Sequence, residues 1–198
     1  MKVVLASQNR HKLEEIQAIL SRYDMELVLE KDLGLCIEVE ETGTTFEENS
    51  MLKARAVMEA TGLPTIADDS GLAVDVLGGE PGIYSARYLG RDTDYNYKMG
   101  YIIDRLKDTP WEARTARFTA SVAAVLPDGT SYTATGHMEG YIGYEIAGEN
   151  GFGYDPFFYL PEYQMTSAQI SPEQKNAISH RGRALRAMLH ILEEQGVL

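Results

Sequence analysis

Two adjacent carboxylates, Asp68 and Asp69, followed by the hydroxyl of Ser70, stand at the end of a short apolar run, and a second acidic pair sits upstream at Glu40 and Glu41. Clustered carboxylates call for a metal or a proton, because like charges at close range raise each other's energy until something neutralises them. Mg2+ suits two acidic pairs facing one site, since it takes a few carboxylates and completes its shell with waters and substrate phosphates. In an extended segment neighbouring side chains point to opposite sides, so one of Asp68 and Asp69 would meet the metal while the other caps a turn. An acidic pair at a strand end is a solvated turn in most proteins. The coincidence with basic residues elsewhere in the chain makes this pair more informative.

Those basic residues come in three groups. Ser7-Gln8-Asn9-Arg10-His11-Lys12 is a polar loop opening a helix, where exposed amides and the helix dipole favour an anion and Lys12 adds a full charge. It lacks the glycines of a P-loop, and alone it is more often an ordinary capped helix start. Asn49, Lys53 and Ala56 share one face of a later helix by their spacing. Lys175 and Ser179-His180-Arg181-Gly182 offer donors suited to oxo groups or phosphates. Between them, Gly151-Phe152-Gly153-Tyr154-Asp155-Pro156 combines glycines that permit close approach, aromatic faces for a planar base, and a carboxylate that can accept from base or ribose. Trp111, His137 and His190, and His11 on its own, show no chemical partners in sequence and read as structural.

The elements that must position these groups are of the α/β type. Lys2–Ala6 reads as a strand, followed by the polar loop and a helix with Leu13, Ile16 and Leu20 inward and Glu14, Glu15 and Gln17 outward. Met25–Leu29 is a second strand. Thr44-Thr45-Phe46-Glu47 is a helix-start box, and Gly62 with Pro64 ends that helix near Thr61. Leu63–Ala67 and Leu72–Leu77 read as separate strands on either side of the acidic pair. Asp94–Leu106 is a helix, and Ala116–Leu126 with Thr130–His137 is a hairpin. Ser171-Pro172-Glu173 starts a helix, and Ala184–Glu194 is a terminal amphipathic one.

With 198 residues, 44% hydrophobic and 24% charged, the chain is expected to form a single domain over 1–198. The net charge of -12 argues against a nucleic-acid partner, which needs a basic footprint, but leaves room for a small anion held locally. No apolar run reaches membrane-span length and no signal-peptide pattern opens the chain, so no membrane association and a cytoplasmic location are expected. The single cysteine, Cys36, cannot make an internal disulfide.

As a set, the motifs resemble the inosine triphosphate pyrophosphatase family, the non-standard purine NTP pyrophosphatases acting on ITP, dITP and XTP. The resemblance is carried, in family order, by Ser7–Lys12, Glu41-Thr42-Gly43 with Thr45-Phe46, Glu48-Asn49 and Leu52-Lys53-Ala54, then Ala67–Leu72, Pro81–Arg87, Gly151–Pro156 and Ile178–Gly182. It implies a three-layer α/β/α fold with a mixed central sheet, two lobes around a substrate cleft, and a homodimer. It further implies Mg2+-dependent hydrolysis between the α and β phosphates, releasing monophosphate and pyrophosphate. Asp69 would be proton acceptor and metal ligand, Glu40 or Glu41 a further metal contact, and Ser70 a substrate contact. Ser7, Gln8, Asn9, Arg10, His11, Lys12 and Lys53 resemble the triphosphate grip. Phe152, Gly153, Tyr154, Asp155, Lys175, His180 and Arg181 resemble the base-binding wall. Ser7 stands where the family often has Thr, and Gln8, Arg10 and His11 where it has small residues. The rival readings are a Maf-type pyrophosphatase, a non-catalytic nucleotide sensor and a metal-dependent phosphomonoesterase; for the last, the Asp-x-Asp nucleophile spacing is missing.

Overall fold

The computed structural model describes all residues, 1–198. They form two compact units: the first comprises Met1–Ser70, Ala120–Gly136 and Ser179–Leu198, the second Gly71–Thr119 and His137–Ile178. The strands are β1 (Lys2–Leu5), β2 (Glu26–Leu29), β3 (Thr65–Val74), β4 (Thr115–Val125), β5 (Ser131–Ile142), β6 (Phe158–Leu160) and β7 (Met165–Thr166). They form one sheet in the order β2-β1-β3-β4-β5-β6-β7, with β1 parallel to β2 and β3, and β6 antiparallel to β5 and β7. The helices are α1 (Arg10–Leu20), α2 (Phe46–Thr61), α3 (Tyr95–Arg105), α4 (Pro172–Ile178) and α5 (His180–Glu194). The chain is thus an α/β protein with a mixed sheet, and no helix is long and apolar enough to cross a membrane.

In the first unit β1 explains its own sequence. Val3 and Leu5 join Ile16 and Leu20 of α1 and Leu185, Leu189 and Leu192 of α5, while Val4 and Ala6 join Ala54 and Val57 of α2. A parallel strand covered on both faces has no polar side, which is why Lys2–Ala6 alternates poorly. Helix α2 begins and ends where local chemistry says it should. Thr45 caps it by accepting from Glu48 N, and Gly62 ends it in the left-handed region at φ 66°. The reciprocal carboxylate is Glu48, one place later than the expected box, and it accepts from the amide of Thr44.

The second unit is built around Leu72, Val74, Met99, Ile102, Phe118, Phe157 and Phe158. Here the separate strands expected on either side of the acidic pair are corrected. Residues 65–74 make one continuous strand, and Asp75–Leu77 turns off as a single 3-10 turn. Asp68 and Asp69 therefore lie mid-strand, 1% and 8% exposed, not in a solvated turn. The second hairpin strand runs on to Ile142, beyond its expected end at His137, and α5 starts at His180, ahead of Ala184.

Candidate active site

In the first unit β3 delivers its two aspartates to different partners, as strand alternation requires. Asp68 accepts from Arg181 Nε at 3.1 Å and forms an ion pair with Lys12 at 3.0 Å. Asp69 accepts from Lys53 Nζ at 3.2 Å, and the same ammonium donates to Glu41 at 2.8 Å. Arg181 also donates to Glu15 of α1 at 2.5 Å and to the Ser70 hydroxyl at 3.0 Å. Three cations, Lys12, Lys53 and Arg181, thus meet four carboxylates, Glu15, Glu41, Asp68 and Asp69. Two carboxylate oxygens are buried with no hydrogen bond: Asp68 Oδ1, which has the Lys12 ammonium 3.0 Å away, and Asp69 Oδ2.

The electrostatics separate the neighbours. Burial works to raise Asp68, but Lys12, Arg181 and Lys53 outweigh it and hold the carboxyl well below the usual range. Burial raises Asp69 too, and Glu41 adds to the rise against the opposing Lys53 and Lys12, so this carboxyl ends above its ordinary value. Burial would lower Lys53, but Asp69, Asp68 and Glu41 more than reverse it, keeping the ammonium charged. Lys12 is lowered by burial, with Asp68 opposing.

The polar loop is more self-contained than expected. Ser7 Oγ accepts from Asn9 N at 3.1 Å, and Asn9 Oδ1 caps α1 by accepting from His11 N at 3.0 Å and Lys12 N at 3.4 Å. The exposed amides expected to greet an anion are therefore largely taken, and the loop's clearest offering is the Lys12 ammonium. Gln8 approaches Cys36 Sγ at 3.9 Å, and Arg10 and His11 are exposed. Of the upstream acidic pair, Glu41 faces Lys53, while Glu40 is exposed.

In the second unit Asp155 accepts from Lys175 Nζ at 2.5 Å and Phe152 N at 2.9 Å through Oδ2, and from Ser167 Oγ at 2.9 Å through Oδ1. The Lys175 ammonium lies 5.0 Å from the Phe152 ring centroid. Gly151, at φ +71°, sits where a Cβ would run into Asp155 Oδ2, so the loop closes over the ion pair only with glycine there. The Tyr154 hydroxyl donates to Ser85 O at 2.9 Å, and Tyr95 meets the Tyr154 ring edge-on at 5.1 Å. The arrangement is a buried ion pair set beside aromatic rings, whose faces and ammonium are chemically matched to a flat ring bearing an acceptor.

Arg181 and His180, expected beside Lys175, lie in the first unit at the start of α5, where Ser179 caps the helix by accepting from Gly182 N at 3.0 Å. Arg181 there belongs to the carboxylate cluster. Glu15 was missed, because the outward face assigned to Glu14, Glu15 and Gln17 hid it; in the structure its carboxylate meets the buried guanidinium. The available signal was its place three residues after Lys12 and beside Ile16, at the edge of the apolar stripe. Ser167, which had no motif, was invisible.

The comparisons with known proteins agree along the whole chain. The dITP/XTP pyrophosphatase of Photorhabdus laumondii is 46% identical over 96% of this chain and 98% of its own. That of Escherichia coli K12 is 47% identical with the same coverage, 96% and 98%. The solved Ham1 protein of Staphylococcus aureus superposes with a TM-score of 0.87 at 40% identity, covering 98% of this chain and all of the other. The model of the Ham1 family matches residues 3–191, and the chain belongs to that family.

Proposed function

We propose that the protein is a nucleoside triphosphate pyrophosphohydrolase that converts ITP, dITP and XTP to the monophosphate and pyrophosphate, preventing their incorporation into DNA and RNA. The relatives named dITP/XTP pyrophosphatase support the substrate class. The observation that carries the chemistry is Asp69, a buried carboxylate raised above its ordinary value, with one oxygen on Lys53 and the other without a partner.

Mg2+ fits these residues. Asp69 Oδ2 has no hydrogen-bond donor to displace, Glu41 shares Lys53 with it, and four carboxylates outnumber three cations. No three of these carboxylates are placed to ligate one metal ion together, so two of them with waters and phosphates would make up the set. Asp69 and Glu41 would hold the ion, which when bound neutralises charge on the phosphates. Lys12 and Lys53 hold phosphate oxygens. Asp69 orients a water and takes its proton as the water oxygen bonds to phosphorus, the anhydride P–O bond breaks and pyrophosphate leaves. Lys175, over the Phe152 ring, donates to the six-oxo group of hypoxanthine or xanthine and would face the amino donor of adenine unpaired. The family resemblance also supports a homodimer.

Turnover of ITP, XTP, ATP and GTP with Mg2+, assaying pyrophosphate and orthophosphate separately, tests the reading. Pyrophosphate from ITP and XTP with little from ATP or GTP is expected. Its absence from all four would return the Maf-type or sensor reading, and orthophosphate in its place the phosphomonoesterase.

A further inference from the structure

Glu41 lies in a segment with no regular structure, where the one local backbone bond around it runs from Thr42 N to Glu40 O at 3.0 Å and closes a single tight turn. Two side chains of α2 tie that segment down. Asn49 Oδ1 accepts from Gly43 N at 2.8 Å, and the Glu48 carboxylate accepts from Thr44 N at 2.6 Å and from the Thr44 hydroxyl at 2.9 Å. Glu48 is exposed, whereas Asn49 is wholly buried, and its Nδ2 has no hydrogen-bond partner. A buried amide with an idle donor is a poor use of a core position for stability alone. What Asn49 accomplishes is the bond to Gly43, one helical turn before Lys53 grips Glu41.

Residue 43 is shaped for that bond. A Cβ there would lie 2.6 Å from Asn49 Oδ1 and 2.7 Å from Glu48 Cβ, contacts too close to keep. Segment 41–43 is therefore held at two points from one face of α2, by Lys53 through the Glu41 side chain and by Asn49 through the Gly43 backbone. A Mg2+ ion that drew Glu41 toward Asp69 would weaken the Lys53 contact, leaving Asn49 as the buried restraint.

We propose that Asn49, with the space left by Gly43, is a latch that positions Glu41 for Mg2+. Asn49 is a positioning residue, and the inference rests on the reading of Glu41 and Asp69 as the metal-facing carboxylates. The variants are Asn49→Leu, which removes the acceptor at similar volume, Gly43→Ala, which forces the segment off the helix, and Asn49→Asp, which keeps an oxygen for Gly43 N–H. Mn2+ binding to nucleotide-free protein, followed by electron paramagnetic resonance, gives a readout independent of turnover. With ITP, the Mg2+ activation constant is separated from kcat at saturating Mg2+.

Asn49→Leu and Gly43→Ala are expected to weaken Mn2+ binding and raise the Mg2+ activation constant by about tenfold or more, with Asn49→Asp within about threefold of the parent protein. At saturating Mg2+, kcat should stay within about twofold, which a general loss of structure would not allow. If Asn49→Leu does not fold, Gly43→Ala carries the same test. Unchanged Mn2+ affinity in a folded Asn49→Leu or Gly43→Ala, with the parent protein binding Mn2+ and releasing pyrophosphate from ITP, overturns the latch alone. A parent protein that does neither overturns the latch together with the reading beneath it.

Discussion

Asp155 in the second unit and Asp69 in the first are both buried aspartates beside a lysine, and their oxygens are used in opposite ways. Asp155 receives three protein donors, Lys175, Phe152 N and Ser167, which leave neither oxygen idle. Asp69 receives one, Lys53, and keeps an oxygen buried and unpartnered. A satisfied ion pair fixes geometry, so the second unit presents its ammonium and aromatic ring already arranged. An under-satisfied carboxylate in a cluster with surplus negative charge stores unfavourable energy that an arriving cation or proton relieves. Under the function proposed above, the first unit would receive charge and move a proton, and the second would read a shape and a hydrogen-bond pattern. The contrast repeats within β3, where Asp68 is held low by Lys12 and Arg181 while its neighbour is raised.

The largest expected effect breaks the comparison at Asp69. Asp69→Asn keeps the shape and removes the proton acceptor, so kcat on ITP should fall by about 10²–10⁴-fold with binding of ITP largely kept. Near-normal kcat would remove Asp69 from its role as base. Next is Arg181→Ala, which leaves Glu15 and half of the Asp68 partnership uncompensated in the interior. Unfolding free energy should drop by about 3–5 kcal/mol in urea titrations. Turnover of ITP and any residual turnover of ATP should fall together; loss of the ITP preference alone would place the guanidinium on the base after all.

Asp155→Asn sharpens the other side of the comparison. It keeps one acceptor oxygen, which the Phe152 amide can still use, turns the other position into an N–H donor facing Ser167, and removes the charge that fixes Lys175, so KM for ITP should rise by about tenfold with kcat less affected. A change confined to kcat would argue that Lys175 does more than recognise the base. The smallest effect is the proton balance of the metal-free protein, followed by carboxyl-carbon NMR. Asp68 should titrate below, and Asp69 above, the ordinary aspartate value of about 3.9. Since its folded-state value is depressed, Asp68 contributes stability above that pH, and the contribution is lost as pH falls through the folded value. The raised Asp69 works the other way: its proton is taken up early on acidification, which favours the folded state and removes the base. Both groups titrating together would dissolve the distinction.

The sequence by itself determined what short-range physics controls. The ends of α2 follow from Thr45 and Gly62, because a hydroxyl satisfies a free amide and glycine accepts a left-handed turn at local cost only. The shared face of Asn49 and Lys53 follows from helical periodicity, and the opposite directions of Asp68 and Asp69 from strand alternation, although mid-strand neither caps a turn. The resemblance carried by the motif order already pointed to the family, and with it to Asp69, Lys53 and the Phe152–Asp155 loop. Only the tertiary structure decided which distant groups neutralise one another. Arg181 meets Asp68 across 113 residues of sequence and Glu15 across 166, and neither pairing leaves a periodic or local trace. The same holds for the pairing of Glu41 with Lys53. It holds too for residues 65–74, whose central carboxylates break the apolar pattern of a buried strand and are tolerated there because cations from α1, α2 and α5 come to meet them. Long-range charge pairing depends on strand order and helix packing, which a one-dimensional pattern does not encode.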